Sequence, residues 1–225
     1  MQQTIYLRTD ERNPDHWTAF WINDPEVQRQ KIRLDPTAVI GNNVRIGRGV
    51  FIDKNVTLSD NVTIDHGTYI YKGTKIGRGT KIGMATDIGI GGSAGAAVEI
   101  GENGILGNLL RIQQGCILGD NVSIGASTML HERVKIGKES NIQNLVNIKR
   151  HTQIGKCVNI EENVIIGCNC LIKDQVKLDL GVRIYDGVTL EDDVNIGKFS
   201  ELLPMVNISQ GTRIDPWSTI ESSCE

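Results

Sequence analysis

The chain has 225 residues, enough for one large core or two small ones, and its 24 basic against 27 acidic side chains leave a net charge of −3. That balance sets up no global field to gather nucleic acid or an anionic membrane, and basic runs such as "IKRH" are too short for a nucleic-acid tail. Cysteines at 116, 157, 168, 170 and 224 lack disulfide-framework or zinc-site spacing, and no signal-like or membrane-spanning apolar run is present, so a soluble, cytoplasmic protein with reduced thiols is expected.

Residues 1–33 carry Tyr6, Trp17, Phe20 and Trp21, four of the ten aromatics, and show no repeat. Within them "DPEVQRQK" predicts a helical turn or two. From Leu34 a period of six takes over: Leu34, Ile40, Ile46, Ile52, Leu58, Ile64 and onward to Ile214 and Ile220, with only Ala94 neither Ile nor Leu. Two residues before these positions stand small or β-branched side chains such as Val44, Val50, Thr68, Thr80, Val122 and Val158. Residues at i and i+2 on a strand share a face, so both point into one core. Three residues after the aliphatic comes Asn or Gly with high frequency, as at Asn43, Gly49, Asn55, Asn121 and Gly187, and both tolerate the positive φ of a tight corner. Each hexad therefore predicts a short strand and a sharp turn.

The stretch "TDIGIGGSAGAAVEIGENG", residues 86–104, holds six glycines and three alanines. Because Ile88, Ala94 and Ile100 keep the six-residue step, it is read as an ordinary coil of small residues, in a repeat without insertion. No helix follows "GIGGSAG", which argues against a phosphate loop.

Motifs such as "VRIGRG", "TKIGRG", "VSIGAS" and "VKIGKE" give residues 34–221 a clear likeness: the sequence resembles the hexapeptide-repeat family. The resemblance implies an all-β, left-handed parallel β-helix with three hexads to a triangular coil, here about ten coils and about 50 Å long at a strand spacing of about 4.8 Å. The expected organisation is a capping segment at 1–33 and the β-helix at 34–225. A first coil exposes its core and its strand edges, which is why a cap is expected there. At the other end Trp217 is expected to cover part of the last coil, with closure by another subunit or by further chain.

With three hexads per coil, residues eighteen apart stack. One corner then reads "GNN" (41), "SDN" (59), "GRG" (77), "GAA" (95), "QQG" (113), "HER" (131), "KRH" (149), "GCN" (167) and "YDG" (185). His131, Glu132 and Arg133 thus lie one coil from Lys149, Arg150 and His151. Gly95 and Ala96 fall on the same corner past Gln114, where small side chains would let a ligand or a neighbouring subunit approach the backbone.

Hexapeptide-repeat proteins are commonly homotrimeric acyltransferases that take acyl groups from coenzyme A or acyl carrier protein in clefts between prisms. The resemblance implies a histidine as general base on the hydroxyl or amine of a sugar-type or other small-molecule acceptor. "NIQNLVNIKRHTQIG" is similar to the stretch that carries this histidine in the acyltransferases of lipid A assembly, with Arg150 at the family's histidine position and His151 after it. The expected catalytic residues are His151 and His131, and the expected ligand-binding residues are Lys149, Arg150, Glu132, Gln114, Gly95 and Ala96. No metal and no tightly bound cofactor are expected, since histidines only at 16, 66, 131 and 151 do not form the zinc trio of a carbonic anhydrase of this fold. The competing reading is a structural β-helix that assembles through its ends or edges. Outward apolar residues (Ile105, Ile117, Met129, Leu145, Ile165, Leu171, Phe199 and Trp217) spread over several corners and select no single interface.

Overall fold

The computed structural model describes residues 4–8, 17–21, 24–91 and 95–221. Two-residue strands recur every six residues and pair in parallel with the strand one coil on, as in Ile124↔Ile142 and Ile142↔Ile160. They build three sheets of twelve, eleven and ten strands, here called I, II and III. The chain visits them in turn: Arg45–Ile46 lies in sheet I, Phe51–Ile52 in II and Thr57–Leu58 in III. The result is a parallel β-solenoid with a single continuous core of stacked aliphatic side chains.

The hexad explains the packing. Its large aliphatic and its small residue are both buried, from Ile40 and Val44 to Val206 and Ile208, while the strand residue between them faces out. The third corner residue has positive φ in all but two of the described corners, Thr37 and Ala97 being the exceptions: in Asn43, Asn103 and Asn121 as expected but also in Leu109, Arg133, Leu145, His151 and Trp217. The repeat imposes that conformation even where the residue type disfavours it. Glycine at the first corner position has another role. A Cβ on Gly101 would stand 2.4 Å from Asp120 Oδ1, the oxygen that accepts the backbone N–H of Glu102 at 2.7 Å.

Hydroxyls at the small core position follow one rule. Thr128, Ser140 and Thr152 donate to the carbonyls of Gln143, Gly155 and Gly167 in the next coil, at 3.0, 3.0 and 2.7 Å. A buried hydroxyl therefore meets its hydrogen-bonding requirement inside an apolar core.

The N-terminal segment extends the solenoid. Strand Thr4–Arg8 adds in parallel to Arg45–Ile46 at the end of sheet I and pairs antiparallel with Trp17–Trp21. Its Ile5 and Leu7 are buried in the core, with Val27 and Ile32. Helix Pro25–Arg29 starts at Asp24, whose carboxylate accepts the N–H of Glu26, and falls within "DPEVQRQK". The side chains of Trp17, Phe20 and Trp21, and all of His16 and Cys224, lie outside the described residues.

The stretch at 86–104 is not an ordinary coil. Three successive pairings there, Ile76↔Ile100, Ile82↔Leu106 and Ile88↔Ile112, join strands 24 residues apart instead of 18. An extra hexad leaves the solenoid between sheets II and III, and Gly89, Gly91 and Gly95 carry it at φ +92, +73 and +61. The expectation of a repeat without insertion is therefore wrong. An insert of one whole hexad preserves the phase of a six-residue period, so the period cannot register it. Ala94, which seemed to hold the step, lies outside the described residues.

A second correction follows. Upstream of the insert "GNN", "SDN" and "GRG" stand at the edge between sheets III and I, away from the histidine-bearing edge between II and III. Thr74 shows a cost of the insert: its buried hydroxyl has no partner among the described residues, and a Cβ on Gly89 would come within 3.1 Å of it. Deleting residues 91–96 would restore an 18-residue coil and place the Gly89 carbonyl where Thr74 can donate to it. We expect the deletion variant to fold with a higher thermal midpoint, because it also removes flexible glycines from the unfolded chain. A fall in the midpoint by calorimetry would mean that the longer coil is itself stabilising.

Candidate functional site

Backbone hydrogen bonds order the edge between sheets II and III coil by coil. Gly115 N–H donates to Ala96 O at 3.0 Å, Arg133 N–H to Gln114 O at 3.1 Å, His151 N–H to Glu132 O at 3.0 Å and Asn169 N–H to Arg150 O at 3.1 Å. Gly95, Ala96, Gln114, His131, Glu132, Lys149, Arg150 and His151 therefore share one edge over four consecutive coils. Gly95 and Ala96 enter this stack as the returning end of the extra hexad.

His131 is the most constrained of these side chains. It is half-buried at the first corner position, and its Nε2 lies 3.1 Å from Asn147 Oδ1 on the outer face of sheet II one coil on. Burial, and then the nearby Lys149 ammonium, hold its pKa below the ordinary 6.5, against the opposing pull of Asn147 and Glu132. An amide oxygen facing Nε2 keeps the proton on that nitrogen and leaves Nδ1 as the proton acceptor. The Glu132 N–H donates to Gln113 Oε1 at 3.1 Å, and the buried Gln114 Oε1 has no partner among the described residues.

The two histidines do not form one constellation. His151 is exposed at φ +63 and lines an open groove of about 440 Å3 on the sheet III side with Arg133, Lys135, Gln153, Asn169 and Leu171. Lys149 lines another, of about 430 Å3, on the sheet II side with Ile165, Arg183 and Tyr185. Among the described residues Arg133, Lys135, Lys149 and Arg150 have no ion-pair partner, so Glu132 leaves the Arg150 charge uncompensated. The edge is a local concentration of positive charge on a chain whose net charge is negative.

Asn147 was missed in the sequence. It stands 16 residues after His131, so the 18-residue stack carries it to the outward strand position beside that ring. Arg133 and Lys135 were legible only as corner and strand residues of the same coil. Burial pushes the nearby Cys116 thiol, which donates to the His131 carbonyl at 3.0 Å, up to about 12 and leaves it unreactive. No helix among the described residues is long and apolar enough to cross a membrane.

Solved structures similar to this chain include acyltransferases. A UDP-N-acetylglucosamine acyltransferase from Bacteroides fragilis is 24% identical, covering 84% of this chain and 68% of that one, with a TM-score of 0.40. The corresponding enzyme from Arabidopsis is 16% identical, with 82% and 69% covered and a TM-score of 0.46. The one from Campylobacter jejuni is 16% identical, with 81% and 69% covered and a TM-score of 0.41. No family model matches the chain, and no curated protein does. The fold rests on the strand pairing described above, and the activities in these names belong to those proteins.

Proposed function

We propose that the protein is an acyltransferase that moves an acyl group from coenzyme A or acyl carrier protein to a hydroxyl or amine of a sugar-type acceptor, at the edge between sheets II and III. The observation that carries this reading is His131, a half-buried imidazole oriented by Asn147 and held neutral at physiological pH beside unpaired cations. Nδ1 takes the acceptor's proton as its oxygen or nitrogen attacks the thioester carbonyl. The tetrahedral intermediate collapses, the C–S bond breaks, and the proton passes from His131 to the leaving thiolate. Lys149 and Arg150 bind an anionic group of donor or acceptor. Gly95 and Ala96 leave room against the backbone. The working form is a homotrimer in which a second copy completes the cleft. His151, exposed in the opposite groove, binds and does not act as the base.

The test is thermal denaturation with coenzyme A and with acyl carrier protein, followed by mass-spectrometric detection of acylated product over a panel of amino and hydroxy sugars and their nucleotide forms. A raised midpoint with one donor, and a product lost in H131Q, supports the reading. No stabilisation by either donor and no product from any acceptor would sink it.

A further inference from the structure

Three of the six aromatic residues beyond position 33 gather in two adjacent coils, and none of the other three precedes Tyr185. Phe51 and Tyr69 are directly paired on the outer face of sheet II, with ring centroids 6.0 Å apart and planes 34° from parallel. Phe51 is half-buried, and Tyr69 remains 45% exposed although the pair covers part of it. On the margin toward sheet I the corner residues are Gly49 and Gly67, and a Cβ on Gly67 would meet nothing within 4 Å, so the rings lie open on that side. Tyr71 stands on the other margin, against Gly89, where the extra hexad departs: a Cβ there would lie 3.2 Å from Tyr71 Cβ.

Polar groups of both kinds ring this floor. The outer face of sheet II continues from Tyr69 to Asp87 and Arg111, and on the far side of Phe51 it carries Arg33. Among the described residues the side chains of Arg33, Asp87 and Arg111 and the hydroxyls of Tyr69 and Tyr71 make no hydrogen bond or ion pair within the chain. One oxygen of Asp53, beside Tyr71, accepts the Lys54 N–H at 2.7 Å and leaves the other available. Burial, followed by Asp87, Tyr69 and Asp53, raises the Tyr71 hydroxyl above its ordinary 10.0, which sets these four groups round one spot.

We infer that this part of sheet II is a carbohydrate-binding platform for a neutral oligosaccharide, whose sugar rings lie on Phe51 and Tyr69 and whose hydroxyls bond Asp53, Asp87, Tyr71 and Arg111. A sugar ring offers an apolar C–H face to an aromatic surface and, round its rim, hydroxyls that each donate and accept. It therefore calls for an apolar floor edged by a few acceptors and donors together. The charges of Arg33 and Arg111 offset those of Asp53 and Asp87, which selects a neutral chain over an anionic one. Asn147, beside the His131 ring, lies on the same face four strands beyond Tyr69, about 19 Å at the spacing of a sheet. A chain seated on the rings can thus extend toward the proposed acyl-transfer site, but the platform does not depend on that reading and its test uses no acyl donor.

The test is saturation-transfer NMR and calorimetric titration of the full chain with cellotetraose and with chitotetraose. Irradiation of the aromatic resonances should saturate the ring C–H protons of a bound sugar. F51T and Y69T should each weaken binding about tenfold or more. Thr already fills outward strand positions at 57 and 63, so both variants should unfold near the wild-type midpoint. D87N, which leaves both rings in place, should also weaken binding. H131Q and F199N, the latter altering an aromatic on another edge, should bind as wild type does. Failure of both sugars to bind, unchanged affinity in F51T and Y69T, or loss of binding in F199N would overturn the inference. Binding lost in H131Q but kept in Y69T would place the sugar at the acyl-transfer site alone and overturn the platform while sparing that site.

Discussion

Replacing His131 with glutamine lowers acyl transfer by about 10²–10⁴-fold, the usual contribution of a positioned general base. The substitution suits the fold, because Gln113 occupies the equivalent corner position one coil earlier and the backbone bonds of residue 131 do not involve the imidazole. H151Q is the matched control. Gln175 already holds that corner conformation at φ +61, so the backbone is not disturbed, and turnover should change by less than about tenfold if His151 only binds. The pH profile identifies the base independently. A lowered imidazole pKa keeps the neutral, proton-accepting ring to lower pH, so the acid limb of kcat/KM falls below 6.5. Lys149 is the second cause of that shift, and K149Q should move the acid limb upward. The sign for stability is the same: the folded state disfavours the protonated ring, so this contribution is full above the unfolded value of 6.5 and is lost as pH falls from there through the lower folded value. An acid limb unmoved in K149Q would separate the rate-limiting ionisation from His131.

The solenoid was legible because one physical requirement, an aliphatic side chain facing a shared core, repeats without a gap in the sequence. Corner conformation was legible only in part. Asn and Gly announce a positive φ, but Leu109 and Leu145 adopt it because the coils on either side leave the backbone no other path, and Trp217 adopts it in register with the coil before it. The insert escaped notice because its length matches the period, and only Thr74, a core hydroxyl without the carbonyl that its counterparts find, betrays the mismatch. The histidine-bearing edge was identified because every coil from Gly95 onward does have the eighteen-residue stack. The pairing of His131 with Asn147 was not, since it joins a corner to a strand of the next coil and depends on the direction of a side chain. Three of the outward apolar residues were alignable from the eighteen-residue step alone, being 54 and 18 residues apart. Leu145, Phe199 and Trp217 share the edge between I and II, where the rings of Phe199 and Trp217 stack at 4.5 Å.

Ile148→Ala should cost about 2–5 kcal/mol, the range for emptying a well-packed aliphatic site. Ile148 is fully buried in sheet II, stacked between Leu130 and Ile166 at the level of the candidate site. The coils above and below are held by ladder hydrogen bonds, including that from His131 N–H to Ile148 O at 3.0 Å, so they cannot collapse into the space. The same change at Ile214, which is only partly buried, should cost clearly less. Urea unfolding of the two variants checks the difference. Because each coil contacts only its neighbours, the loss should also be local. Hydrogen exchange should quicken in the strands around 130, 148 and 166 while those near 52 and 64 keep their protection. The alanine retains the backbone carbonyl beneath His131 but removes the packing behind it, so turnover should fall while donor-induced stabilisation persists. Uniform loss of protection along the whole solenoid would instead show that it unfolds as one cooperative unit.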